Sequence, residues 1–181
     1  MLTETQKAAL LRTARESIAG HLTGGVCVVS PCESVPGVSG VFVTIKRGGE
    51  LRGCLGVLQL SGTLAEEVAR CARDSATRDP RFPPMQAEEL GEASLEISIL
   101  GPLETIDPLA EAAIVIGRHG LVVAHGRCRG LLLPQVAVEW RWTREQFLGQ
   151  TCRKAGLPED AWRNGAEVFR FDAWVFGESG R

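Results

Sequence analysis

At 181 residues, with 44% hydrophobic and 23% charged residues, the chain is long enough for one sizeable core or for two packed subdomains. A formal charge of −2 and a pI near 6.0 leave no basic footprint for nucleic acid. No apolar run approaches the ~18–20 residues of a membrane span, and the first residues lack the basic-then-apolar pattern of a secretion signal, so a cytoplasmic protein contacting neither nucleic acid nor membrane is expected.

Leu10, Leu11, Ala14 and Ile18 recur at helical spacing and predict an opening helix that ends near Gly20. Gly24 to Gly40 reads as a loop with a short extended piece at Val26–Val29. Val41–Arg47 and Glu50–Leu60 are β-type runs joined by Gly48-Gly49, a hairpin signal. A plain two-residue turn would set Val43 opposite Cys54 and Ile45 opposite Arg52, putting apolar groups on both faces and requiring each face to be covered.

Ser61 or Thr63 caps the next helix, whose buried stripe is Leu64, Val68, Cys71, Ala72 and Ala76 and which must stop before Pro80. RDPRFPP, from Arg78 to Pro84, is a proline-built loop, followed by a short helical turn at Glu88-Glu89. Leu95, Ile97 and Ile99 alternate as a strand; Leu121–Ala124 and Cys128–Leu133 form a second hairpin about His125-Gly126-Arg127. Pro134 starts a helix, Thr143 caps another that ends at Gly156, and Phe169 to Val175 alternate as a closing strand. Hairpins outnumber long crossovers, so the fold class is α+β: a mostly antiparallel sheet with flanking helices.

Chemistry concentrates in GELRGCLG, from Gly49 to Gly56. Arg52 and Cys54 lie two apart on a strand and share a face, while Gly53 and Gly56 let another backbone or a ligand come close. An anion clamp beside a nucleophile is one reading of this pair. In the other, Cys54 packs among valines, which would raise its pKa, and Arg52 pairs internally with Glu96 or Asp79. His119, just before a strand, is the best-placed base; His125 in the hairpin turn and His21 near a helix end are lesser candidates. Arg78, Asp79, Arg81 and Phe82 either recognise a ligand or lock the two subdomains together. None of the six cysteines forms a C-x-x-C, and nothing in the motifs calls for a metal or cofactor.

Five blocks stand together: GELRGCLG, RDPRFPP, GRHGL (Gly117–Leu121), RGLLLPQVAVE (Arg129–Glu139) and CRKAGLPEDAW (Cys152–Trp162). In this order they closely resemble the AMMECR family, whose prokaryotic form belongs to the AmmeMemoRadiSam system. The resemblance covers about residues 5–177 and implies a single α+β domain of two subdomains. It also implies the company of a radical S-adenosylmethionine enzyme and a Memo-like protein, but no particular reaction. Trp140-Arg141-Trp142 departs from the pattern, since members commonly carry a smaller residue or glycine before the tryptophan.

Two functions are expected from these features. The first is a ligand-binding or adaptor component of a modification pathway, with Arg52, Gly53, Gly56, Arg78 and Arg81 at the ligand or docking surface. The alternative is an enzyme on a small anionic substrate, with Cys54 as nucleophile, Arg52 as anion clamp and His119 as base.

Overall fold

The computed structural model describes residues 2–25, 29 and 35–178. They fall into two compact units, one of residues up to Leu100 plus the stretch from Trp174 onward, the other Gly101–Ala173. The expected extended piece at Val26–Val29 lies, save Val29, outside the described residues.

In the first unit, helix α1 (Glu4–Thr23) is opened by a capping box between Thr3 and Gln6 and closed by Gly24 in the left-handed region. Strands β1 (Gly40–Arg47) and β2 (Glu50–Val57) form the first hairpin, and helix α2 (Leu64–Thr77) begins at a Thr63–Glu66 capping box. A 3-10 turn (Ala87–Gly91) precedes strand β3 (Ala93–Leu100). β1 is central, antiparallel to β2 on one side and β3 on the other. Val41, Val43 and Ile45 of β1 and Leu95, Ile97 and Ile99 of β3 are fully buried or nearly so, in one cluster with Leu10, Ala14 and Ile18 of α1 and Val68 and Ala72 of α2. Alternation thus gives the sheet one apolar face, and two amphipathic helices cover it.

The register differs from the expected one. The turn at Gly48-Gly49 does pair Arg47 with Glu50, but the ladder then shifts, so that Leu51 faces Lys46 and Gly53 faces Ile45. Arg52 is the extra residue of a β-bulge, and Thr44, not Val43, lies opposite Cys54. The second face of this hairpin mixes polar and apolar groups: Thr44, Lys46 and Cys54 lie there with Phe42 and Leu51, and Glu96 of β3 accepts a 3.0 Å bond from Lys46 Nζ. The slip of one residue exchanges which side chains share a face.

α2 sits unusually close to the hairpin. The Ser75 hydroxyl accepts from Leu55 N–H at 2.8 Å and donates to Val43 carbonyl at 2.7 Å. Val43 and Leu55 are cross-strand partners, so one helix hydroxyl stands in the middle of the β1–β2 ladder. A Cβ on Gly53 would lie 2.1 Å from the Ser75 carbonyl oxygen.

The second unit holds strands β4 (Glu104–Thr105), β5 (His119–His125) and β6 (Cys128–Leu132), helices α3 (Pro134–Glu139) and α4 (Arg144–Lys154), and 3-10 turns at Glu111–Ala113 and Ala161–Arg163. Residues Glu167–Asp172 of strand β7 (Glu167–Gly177) pair antiparallel with β5, Phe169 and Arg170 also pair with β4, and β6 pairs with β5. Phe147, Leu148 and Cys152 of α4 pack in one cluster with Leu121, Val123 and Val168 of the strands. The last residues of β7 belong to the first unit, where Glu178 N–H donates to Leu95 carbonyl at 2.9 Å. The α+β class and antiparallel pairing stand as expected. Among the described residues no helix is long and apolar enough to cross a membrane.

The departure at Trp140-Arg141-Trp142 has a local explanation. Arg141 N–H bonds the Val138 carbonyl at 3.1 Å and Trp142 N–H bonds the Ala137 carbonyl at 2.9 Å, a Schellman closure of α3. Such a closure needs a left-handed residue, and Arg141 supplies it at φ 52. An L-residue there carries strain of roughly 1–2 kcal/mol, partly offset because glycine is looser in the unfolded chain. Arg141→Gly is therefore expected to stabilise the protein by about 0.5–1 kcal/mol in urea titration; an unchanged or lower midpoint would refute that strain.

Candidate functional site

The two motifs that the sequence sets 25 residues apart, around Cys54 and Asp79, meet in space because α2 carries the chain back along the hairpin. Among the described residues β2 is an edge strand, and the outward N–H and C=O of Cys54 have no neighbouring strand there. The RDPRFPP loop supplies the missing partners with side chains. Cys54 N–H donates to Asp79 Oδ2 at 2.8 Å, and Arg81 Nη2 donates to Cys54 carbonyl at 3.2 Å. Arg81 is itself held to Asp79 by bonds of 2.9 and 2.6 Å. The loop thus closes onto β2 inside one unit; locking of two subdomains is not what these bonds do.

Asp79 is 4% exposed and Arg81 has a side chain 48% exposed, so the carboxylate anchors the loop while the guanidinium reaches solvent. The Arg81 hydrogen bond, with those from Cys54 and Arg81 N–H, holds the Asp79 carboxyl down at about 2 against the cost of its burial. Phe82 has two cations over its ring, the Arg81 guanidinium 5.5 Å and the Arg52 guanidinium 5.9 Å from the ring centre.

Arg52 pairs with neither Glu96 nor Asp79. Its Nε and Nη2 grip the two Glu89 carboxylate oxygens at 3.0 Å each, a fork geometry that only arginine makes. The bulge removes Arg52 from the ladder and makes this reach possible. Glu89 sits on the 3-10 turn, lowered in pKa chiefly by the Arg52 bond, and also takes Arg47 at 3.4 Å. The intended anion clamp is thus occupied by its own scaffold.

Cys54 is half-buried, and its sulfur accepts the Thr44 hydroxyl at 3.2 Å. Burial pushes the thiol's pKa up, opposed by the Thr44 hydroxyl and Arg81 and reinforced by the Asp79 and Glu96 charges. The expected rise is present, but its polar neighbour is a threonine rather than a valine. The space at Gly53 and Gly56 is filled by the chain itself: Gly53 by the Ser75 backbone, and Gly56 by the Val41 carbonyl and the Phe42 ring, each 2.3 Å from an added Cβ. Arg78 points away from the cluster, its guanidinium largely in solvent and 3.4 Å from Asp74 one helical turn back.

A family model described as AMMECR1 matches residues 11–176. The chain belongs to the AMMECR1 family. A protein of Methanothermobacter thermautotrophicus is 41% identical over 188 residues, covering 99% of this chain and 97% of that one. A protein of Methanosarcina acetivorans is 44% identical over 188 residues, covering 98% and 94%. The crystal structure of the uncharacterized protein PH0010 from Pyrococcus horikoshii superposes with a TM-score of 0.90 at 39% identity, covering 99% of this chain and 94% of that chain.

In this AMMECR1 domain His119 belongs to the second unit and Cys54 to the first. Val115 N–H donates to His119 Nδ1 at 3.0 Å, so the neutral ring spends its lone pair there and carries its proton on Nε2. Burial, then the Arg170 charge, pushes the imidazole pKa down, and Asp172 lies 3.8 Å from Nε2. A ring so engaged has no free lone pair for proton abstraction; it fixes the turn entering β5.

Thr44, Ser75, Phe82 and Glu89 complete the cluster of this AMMECR1 domain. Phe82 and Asp79 lay within a motif already singled out. Thr44 followed only from the bulge, and Glu89 and Ser75 carried no local signal.

Proposed function

We propose that this AMMECR1-family chain is a ligand-binding or adaptor component of a modification pathway, acting beside a radical S-adenosylmethionine enzyme and a Memo-like protein. The observation that carries the reading is the anchoring of the RDPRFPP loop to β2 by the buried Asp79, with Arg81, Pro83 and Pro84 left exposed. A loop fixed in advance loses little conformational freedom on docking, which favours recognition over turnover. The Arg81 and Phe82 edges supply a cation and an aromatic face, a pairing common at protein interfaces.

The enzymatic alternative is less well supported. A nucleophilic thiol needs a lowered pKa and a base in reach, whereas burial raises that of Cys54 by more than the Thr44 hydroxyl lowers it. A small anionic ligand would also have to displace Glu89 from Arg52 or Asp79 from Arg81.

Isothermal titration against the radical enzyme and the Memo-like protein of the same genome tests the reading. Binding to at least one is expected, weakened about tenfold or more by Phe82→Ala, within the range of interface aromatic anchors. In a Cys128→Ser background, Cys54 should react with iodoacetamide far more slowly in the folded chain than in urea. Absence of binding to both proteins, or a turnover by the isolated chain that Cys54→Ser abolishes, would overturn the proposal.

A further inference from the structure

The β5–β6 hairpin carries two metal-ligating side chains at its tip. His125 and Cys128 are direct cross-strand partners, joined by the two-residue turn Gly126-Arg127 with Gly126 at φ 59. Opposed residues of a ladder project from the same face with Cβ atoms about 5 Å apart. That separation lets a sulfur and an imidazole nitrogen converge on one ion at about 2.3 and 2.0 Å. Both residues are exposed, and among the described residues neither makes a side-chain hydrogen bond or ion pair. His119, by contrast, is buried with Nδ1 engaged.

Cys128 is also the one exposed thiol among the described cysteines. Cys71 and Cys152 are buried, and burial pushes Cys71 up to about 11. Two ligands do not close a coordination sphere, and among the described residues no group of three or more His, Cys, Asp or Glu could hold a metal. A hairpin tip is, however, accessible to a second copy of itself.

We propose that His125 and Cys128 form half of a zinc site, completed by the same pair from a second copy of the chain. A two-fold axis through the ion would give two thiolates and two imidazoles, a tetrahedral sulfur–nitrogen set suited to Zn²⁺. The two thiol protons leave to solvent on binding, and the two thiolates neutralise the ion. Arg127 in the turn is the nearby cation that opposes binding of a bare ion. Arg129 lies on the other face of β6 by alternation. The geometry is an i, i+3 pair across a tight turn, which the residue spacing alone does not distinguish from any exposed loop.

The test uses the full chain, stripped with chelator and kept in a non-thiol reductant so that no disulfide forms. Zinc titration followed by sedimentation should convert monomer to dimer at half an equivalent of zinc per chain, reversed by chelator. Cobalt in place of zinc should give a thiolate-to-metal charge-transfer band. Cys128→Ser and His125→Ala, both at exposed positions that leave the fold intact, should abolish the dimer, and Cys128→Ser the band as well. Cys54→Ser should change neither. A monomer at every zinc concentration, binding at one equivalent without dimer, or a zinc dimer that persists in Cys128→Ser would overturn the proposal.

Discussion

Gly53→Ala is expected to destabilise the protein by about 3 kcal/mol or more, the upper range of overpacking effects. The added methyl would stand 2.1 Å from the Ser75 carbonyl oxygen and 3.1 Å from its carbon. Both are backbone atoms of α2, so no rotamer change relieves the clash, and the helix would have to lift from β2. Lifting it withdraws the Ser75 hydroxyl from Leu55 N–H and the Val43 carbonyl, which adds an unpaired buried group to the steric cost. Ser75→Ala would not rescue the variant, because the obstructing atoms remain. Gly91→Ala is the control, since nothing lies within 4 Å of its Cβ, and it should stay within about 0.5 kcal/mol of the parent. Urea midpoints of the three variants decide the matter: equal midpoints for Gly53→Ala and Gly91→Ala would refute the packing account.

Asp79→Asn should cost about 2 kcal/mol at neutral pH and should remove part of the acid sensitivity. The carboxyl's pKa falls from 3.8 to about 2 on folding, first through the Arg81 bond, which corresponds to about 2 kcal/mol. Because the folded value is the lower one, this stabilisation is complete above pH 3.8 and is lost as pH falls through about 2. The gap between parent and variant should therefore shrink on acidification, read as converging urea midpoints between pH 7 and strong acid. A gap that stays constant would mean that the ion pair is not its source. The Cys54 amide proton should exchange faster in the variant, since the amide side chain is a weaker acceptor than the carboxylate that now holds it.

Local patterns carried the helices and hairpins well. Thr63 and Thr143 cap α2 and α4, Gly48-Gly49 turns the first hairpin, the second turn is one residue tighter than His125-Gly126-Arg127 because His125 pairs with Cys128, and the α2 stripe from Leu64 to Ala76 is buried. Each of these rests on neighbours within one helical turn or one hairpin. The bulge at Arg52 had no such marker: a plain register satisfied the same apolar pattern, while the shifted one sets Gly53 against the α2 backbone. Once the ladder slips, Thr44 replaces Val43 beside Cys54 and Arg52 turns to Glu89. The candidate site was therefore legible as two motifs but not as contacts. Its decisive partners come from α2 and a 3-10 turn, whose docking no spacing rule encodes.

The Ser75 hydroxyl within the β1–β2 ladder makes the hairpin incomplete without its helix. A hairpin with a Gly-Gly turn would ordinarily zip from the turn outward on its own. Here the rungs near Arg47 and Glu50 can close alone, but the step from Val43 to Leu55 is completed only by a group twenty residues downstream of Leu55. The finished hairpin therefore depends on the docked helix, and a β1–β2 segment without α2 would lack the group that bridges this step.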